Sequence, residues 1–129
     1  MKIVLTLSAI VVALFLITGC PEEDTEAPKV SMVKPDTTLT DTVTLKAYAT
    51  DNKGVSKVEF YSDVDTVAIG EDTEAESDSL YSINWDTKAG VPASLDSVVT
   101  VKLWAKAYDE AGNVGVSDTV EATVDNTGK

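Results

Sequence analysis

Histidine and arginine are absent from this 129-residue chain, and cysteine occurs once, at Cys20. Without histidine there is no side chain that titrates near neutrality and no imidazole metal ligand. Without arginine there is no bidentate grip on phosphate or carboxylate. A lone cysteine cannot close a disulfide within the chain. The ten basic residues are all lysines, set against 22 acids, for a formal net charge of −12. That balance does nothing to offset phosphate repulsion, so nucleic acid is not an expected partner. Nucleophile elbows, glycine-rich phosphate loops and metal-ligand spacings are also missing. Acid pairs are plentiful, but 25% charged residues supply them by composition alone. No enzyme is expected. Sustained helical periodicity is lacking after residue 28.

What is present begins at the N-terminus. Lys2 precedes a run from Ile3 to Ile17 that only Thr6 and Ser8 interrupt. Its length suits a signal-peptide core and falls short of the ~20 residues of a membrane span. Ile17-Thr18-Gly19-Cys20 resembles the bacterial lipobox. The resemblance implies cleavage before Cys20, a diacylglycerol thioether on its sulfur and acylation of its new amino group. Several acyl chains hold a protein stably to a bilayer where one holds it only marginally. A plain secretory signal and an uncleaved helix are the competing readings. Residues 1–19 are then a lipoprotein signal peptide, 20–28 the lipidated cysteine and an acidic tether, 29–125 one folded domain and 126–129 a tail. The tether carries Glu22, Glu23, Asp24 and Glu26 between two prolines and cannot form a core. Acids after a lipidated cysteine resemble the surface-export signal of Bacteroidota lipoproteins. The expected location is the bacterial envelope, at the outer membrane, with the inner face and the cell surface both open.

From Lys29 onward, period-two alternation recurs between Gly/Asp/Asn turns. Val30 to Lys34 is a first strand. Val43, Leu45, Ala47 and Ala49 form one inward face, and Val58 and Phe60 the next. Val67 and Ile69 mark a short strand, and Glu71 to Ser79 reads as a solvated loop. Tyr81, Ile83 and Trp85 point inward, and Asp86 to Pro92 is a loop. Val99, Val101, Leu103, Ala105 and Ala107 share one face. Val114, Val116, Val120, Ala122 and Val124 share the face of a last strand. About seven strands at this spacing predict an all-β, immunoglobulin-like β-sandwich. An internal echo aligns Leu45, Ala47, Ala49, Asp51 and Gly54 with Leu103, Ala105, Ala107, Asp109 and Gly112. The two copies are expected to face one another across the core.

The run Ala47-x-Ala49-x-Asp51-x-x-Gly54-Val55-x-x-Val58-x-Phe60-Tyr61, then Tyr81-Ser82-Ile83-Asn84-Trp85-Asp86-Thr87, then Ala105-x-Ala107-x-Asp109-x-x-Gly112-Asn113 resembles a bacterial Ig-like domain of the Big type. Such domains occur on envelope proteins and beside secreted glycosidases. The resemblance implies a non-enzymatic module serving adhesion or protein or glycan binding, or else a passive component of an envelope assembly. The fold alone does not choose between them.

Three groups of residues are candidate sites. Asp51 and Asp109 end the two echoed strands at one pole. With Asn52, Glu110 and Asn113 they could hold calcium, with Asp24 and Glu26 of the tether close by. Equally, each aspartate could hydrogen-bond its own turn and leave the left-handed position to glycine. Glu71, Asp72, Glu74, Glu76 and Asp78 form a second acidic run, which reads as a cation site or a solubilising loop. Trp104, Tyr108, Tyr48 and Tyr61 have outward parity and could form a ligand-binding patch or pad the outer face beside lysine stems.

Overall fold

The computed structural model describes residues 22–35, 38–91 and 98–127. The expected signal peptide, and Ile17, Thr18, Gly19 and Cys20 of the expected lipobox, lie outside the described residues. Among the described residues there are eight strands: β1 (Lys29–Met32), β2 (Thr42–Thr50), β3 (Val55–Ser62), β4 (Gly70–Asp72), β5 (Leu80–Asp86), β6 (Val98–Asp109), β7 (Val114–Val116) and β8 (Val120–Asp125). One sheet has the order β1-β2-β5. The other runs β4-β3-β6, with β7 and β8 both paired to β6. All of these pairings are antiparallel. No helix among the described residues is long and apolar enough to cross a membrane.

The alternation sets the core. Leu45, Ala47 and Ala49 of β2 meet Val101, Leu103, Ala105 and Ala107 of β6 in a single buried cluster with Phe60, Val58, Tyr81 and Trp85. The echoed strands thus sit in different sheets, as their repeated small residues require for close approach. Pole by pole, the sheets are joined where the chain crosses. Asp51 to Gly54 carries it from β2 to β3, with Gly54 at a φ of 109°. Gly112 takes the matching place after β6, at a φ of 93°. L-residues with side chains rarely adopt that conformation.

Five local expectations need correction. The short strand is β4, later than Val67, which is exposed. Glu71 and Asp72 therefore belong to a strand, paired with Glu59 and Val58, and not to the loop. Gly70 permits this, because a Cβ there would sit 3.3 Å from the Ile83 side chain of the other sheet.

The last expected strand is broken in two. Lys106 pairs with Val116 and Leu103 with Val120, so Trp104 and Ala105 face three residues, Ser117 to Thr119. One extra residue reverses the side-chain phase. Gly115 and Ser117 turn inward, and Val114 and Val116 turn out to solvent, while Ala122 and Val124 stay buried. Ser117 fastens the bulge: its Oγ accepts from Ala105 N at 2.9 Å and its own N donates to Ala105 O at 2.9 Å.

The loop after Asp86 holds a single helical turn, α1 (Thr87–Gly90), capped by the Asp86 side chain accepting from Lys88 N. Thr87 is fully buried, donates its hydroxyl to Asp41 O at 2.8 Å, and has its carbonyl oxygen met by the Asn126 amide at 3.2 Å. Asn126 is consequently part of the domain and not of the tail. Leu39, in the connection after β1, is buried and bridges to Val124 of β8.

Candidate functional site

At the pole where β2 and β6 end, Asp24, Asp51 and Asp109 come together. One carboxylate oxygen from each lies within 4.8 Å of the other two. Among the described residues this is the one such acidic cluster. Asp109 is 4% exposed, and the other two are half-buried.

Turn chemistry orients each group. Asp51 Oδ2 accepts from Lys53 N at 2.9 Å and Gly54 N at 3.1 Å. Asp109 Oδ1 accepts from Asn113 N at 2.9 Å, and Oδ2 from Asn113 Nδ2 at 2.7 Å. Asp24 Oδ1 accepts from Glu26 N at 3.2 Å and Asn52 Nδ2 at 3.1 Å. The turn-forming reading therefore describes one oxygen of Asp51 and the carboxylate of Asp109. It leaves Asp51 Oδ1 and Asp24 Oδ2 buried with no hydrogen-bond partner. Burial raises the Asp109 pKa, and the donors of Asn113, Gly112 and Ala111 more than reverse that, holding it below the usual carboxylate value.

Of the residues expected here, Asn52 and Asn113 point their amide N–H groups at carboxylates or at the Asp24 carbonyl oxygen (2.9 Å), so they brace the acids as donors. Glu110 is exposed on its turn and outside the cluster, and Glu26 enters only through its backbone N–H. The acidic run 71–78 does not converge. Glu71 pairs with Lys57 at 3.3 Å, Asp72 accepts from Ser82 N and Glu74 N, and Glu76 accepts from the Ser82 hydroxyl.

The second place is the outer face of the five-stranded sheet. Register sets Lys57 opposite Tyr108, Glu59 opposite Lys106 and Tyr61 opposite Trp104. The Tyr61 and Trp104 rings stack, with centroids 5.7 Å apart and planes 9° from parallel. Lys106 Nζ lies 4.9 Å from the Tyr61 ring centre and Lys57 Nζ 4.9 Å from that of Tyr108. Glu59 ties the lattice together, accepting from Tyr61 at 2.5 Å, Tyr108 at 2.8 Å and Lys57 at 2.8 Å. Burial pushes its carboxyl up, and those three donors overcome the push and bring it to about 2. Burial raises both tyrosine hydroxyls, and their bonds to Glu59 raise them further. Val116 and Val114, 60% and 42% exposed, extend this face beside Lys106 and Tyr108. Tyr48 is not part of it: it projects, 49% exposed, from β2 in the other sheet. Outward parity alone could not separate the two sheets. Glu59 and the two valines were missed, and alternation with Phe60 was the only signal that could have placed Glu59 there.

A family model described as a bacterial Ig domain matches residues 28–99. Two solved structures share the fold. One is the set of fibronectin(III)-like modules of Clostridium thermocellum CbhA, with a TM-score of 0.52 and 20% identity over 76% of this chain. The other is the endo-beta-1,4-mannanase from Thermotoga petrophila, with a TM-score of 0.56 and 19% identity over 88% of this chain. The chain spans 45% of the first and 22% of the second. No curated protein sequence matches it.

Proposed function

Because this chain belongs to the bacterial Ig domain family, we propose that it is a lipid-anchored, non-enzymatic module of the bacterial envelope that binds a protein partner through the outer face of β3, β6 and β7. Cys20 carries the anchor in this reading, and the acidic tether holds the domain off the bilayer. On the aromatic face the Tyr61 and Tyr108 hydroxyls donate to Glu59, whose carboxyl is held at about 2 and is a weak base, which supports a role in binding and not in catalysis.

The observation that carries the reading is the solvent-facing pair Val114 and Val116 beside a pre-ordered aromatic and lysine lattice. Rigid aromatics next to exposed aliphatics make a low-entropy contact surface for protein. A glycan is the weaker fit, since the Tyr61 ring is already engaged by Trp104 and by the Lys106 ammonium. The alternative is a passive envelope component whose outer face is satisfied by its own contacts.

The test uses the full chain in cells. A photo-crosslinking residue is placed at Val116, or at Thr44 on the outer face of the other sheet as a control. A discrete membrane-fraction adduct from position 116 alone is expected, lost from that fraction with Cys20→Ser. Adducts from neither position establish the passive reading, and a soluble wild-type chain refutes the anchor.

A further inference from the structure

We infer that the end of the sandwich opposite the tether holds a cleft for a primary alkylammonium group, of the kind that ends a lysine side chain or a small diamine. This does not rest on the partner-binding reading, which uses the outer face of β3, β6 and β7. β3 leaves the acidic pole at Val55 and reaches the other end at Ser62, where β2 begins and β5 finishes, Thr42 being paired with Asp86. Residues of both sheets and of α1 line a cleft there of about 260 Å³. Ser62 and Trp85, 1% and 4% exposed, form its floor. Ile69 and Ala89 add apolar surface, and the exposed Asp65 and Asp86 stand at its mouth.

The floor itself points to a ligand. Parity along β3 buries Val58, Phe60 and Ser62 in turn, so the Ser62 side chain points between the sheets and into the cleft. Its Oγ is buried and, among the described residues, has no hydrogen-bond partner. A buried hydroxyl is normally paired, and one at the floor of an open cleft calls for a polar group from outside. Glycine at position 90 lets the indole edge of Trp85 lie along the same cleft, because a Cβ there would collide with the indole nitrogen.

The lining selects the ligand. It carries two carboxylates and, among the described residues, no lysine. Lys88 of α1 gives its ammonium to Asp41. Each acid commits one oxygen to its own turn: Asp65 Oδ1 accepts from Val67 N at 3.3 Å, and Asp86 Oδ1 from Lys88 N at 3.0 Å. Among the described residues, the second oxygen of each makes no hydrogen bond. An anion would be repelled. A sugar ring would need an open aromatic face to stack on, and Trp85 is too buried to offer one. A primary ammonium brings one positive charge and three donors, to match Ser62 Oγ and a free oxygen on each acid. Its methylene stem suits Ile69, Ala89 and the indole, and a cation beside tryptophan is further stabilised. The volume falls below the roughly 300–1,000 Å³ usual for whole small molecules, which fits the end of a chain.

The test takes the full chain in detergent at neutral pH. Cadaverine and Nα-acetyl-lysine methylamide are the probes, and the diol of cadaverine's chain length and glucose are the uncharged controls. Backbone amide NMR shifts are followed as each is added. The amines should saturate with a Kd of about 1 mM or tighter. They should move the amides of Ser62, Ile69, Trp85 and Gly90 and leave those of Val114 and Val116 still. Saturation by the lysine amide, alone or with cadaverine, assigns the cleft to lysine side chains; saturation by cadaverine alone assigns it to free diamines. Ser62→Ala should weaken amine binding about tenfold, by the loss of one hydrogen bond to a charged group. Asp65→Asn combined with Asp86→Asn keeps both turn acceptors at exposed positions, and should abolish binding in a folded chain. Absence of saturation by either amine overturns the inference. So do equal shifts with the diol or glucose, and so does amine binding unchanged in Ser62→Ala or in the double variant.

Discussion

Replacing Glu59 with glutamine isolates the charge at the centre of the aromatic face. The side chain keeps its shape and an oxygen to accept from Tyr61 and Tyr108, and loses the carboxylate that draws in Lys57. The fall of the Glu59 pKa from 4.5 to about 2 converts at most to about 3 kcal/mol of folding free energy. The lattice sits on a solvated face, and screening reduces the expected loss in Glu59→Gln to about 1–2 kcal/mol. The pH dependence carries the sign. A depressed carboxyl pKa favours the folded state fully above the unfolded value, and that contribution fades as pH falls through the folded value. The gap between wild type and variant should hold from neutral pH down to 4.5 and shrink between 4.5 and about 2. Urea unfolding of both proteins over that range measures it, with the slope of free energy against urea checked for constancy. Other carboxylates titrate in the same window, but they are common to both proteins and cancel in the difference. A gap that is absent at neutral pH, or that persists unchanged at the acid end, refutes the assignment.

Two further substitutions probe the frame. Ala105 is fully buried opposite Phe60; Ala105→Leu should overpack the sheet interface and cost about 1–3 kcal/mol, read as a lower denaturation midpoint. In Gly115→Ala the new Cβ would lie 1.8 Å from the Pro28 carbonyl oxygen. Backbone must shift to admit it, so a loss of about 1–3 kcal/mol is expected, and an unchanged midpoint would show that β7 and the start of β1 are not in contact.

Where a strand buries one face and exposes the other, its role could be read from residue types alone. That holds for β2, β3, β5 and β6, whose alternation put Leu45, Phe60, Trp85 and Leu103 correctly inside. It failed where a single residue changes the phase. Val114 and Val116 match the period of Ala122 and Val124, and only the extra residue at Ser117 to Thr119 turns them out. Nothing in the local pattern marks that insertion, because Ser117 acts through a bond to Ala105 from a distant strand. The single turn α1 is likewise too short to show a helical period. Its buried Thr87 is explained by Asp41 and Asn126, which only the fold brings near.

The acidic pole was half legible for a related reason. The echo between the two strands located Asp51 and Asp109 at one end, and antiparallel pairing of β1 with β2 brought the tether there. What the echo could not reveal is how each carboxylate divides its two oxygens. At Asp51 the turn takes one oxygen and leaves the other buried and unpaired, while at Asp109 Asn113 takes both. The difference lies in the fourth residue after each aspartate. Val55 follows Asp51 by that interval and offers no side-chain donor, whereas Asn113 follows Asp109 and does. Two turns with the same Asp-x-x-Gly frame therefore present different faces to Asp24. Asp109 is held as a braced, buried charge, and Asp51 as a carboxylate with an oxygen to spare. That asymmetry makes the junction with the tether more than two repeated turns. The same aspartates that shape the ends of β2 and β6 leave unspent charge where the tether crosses them.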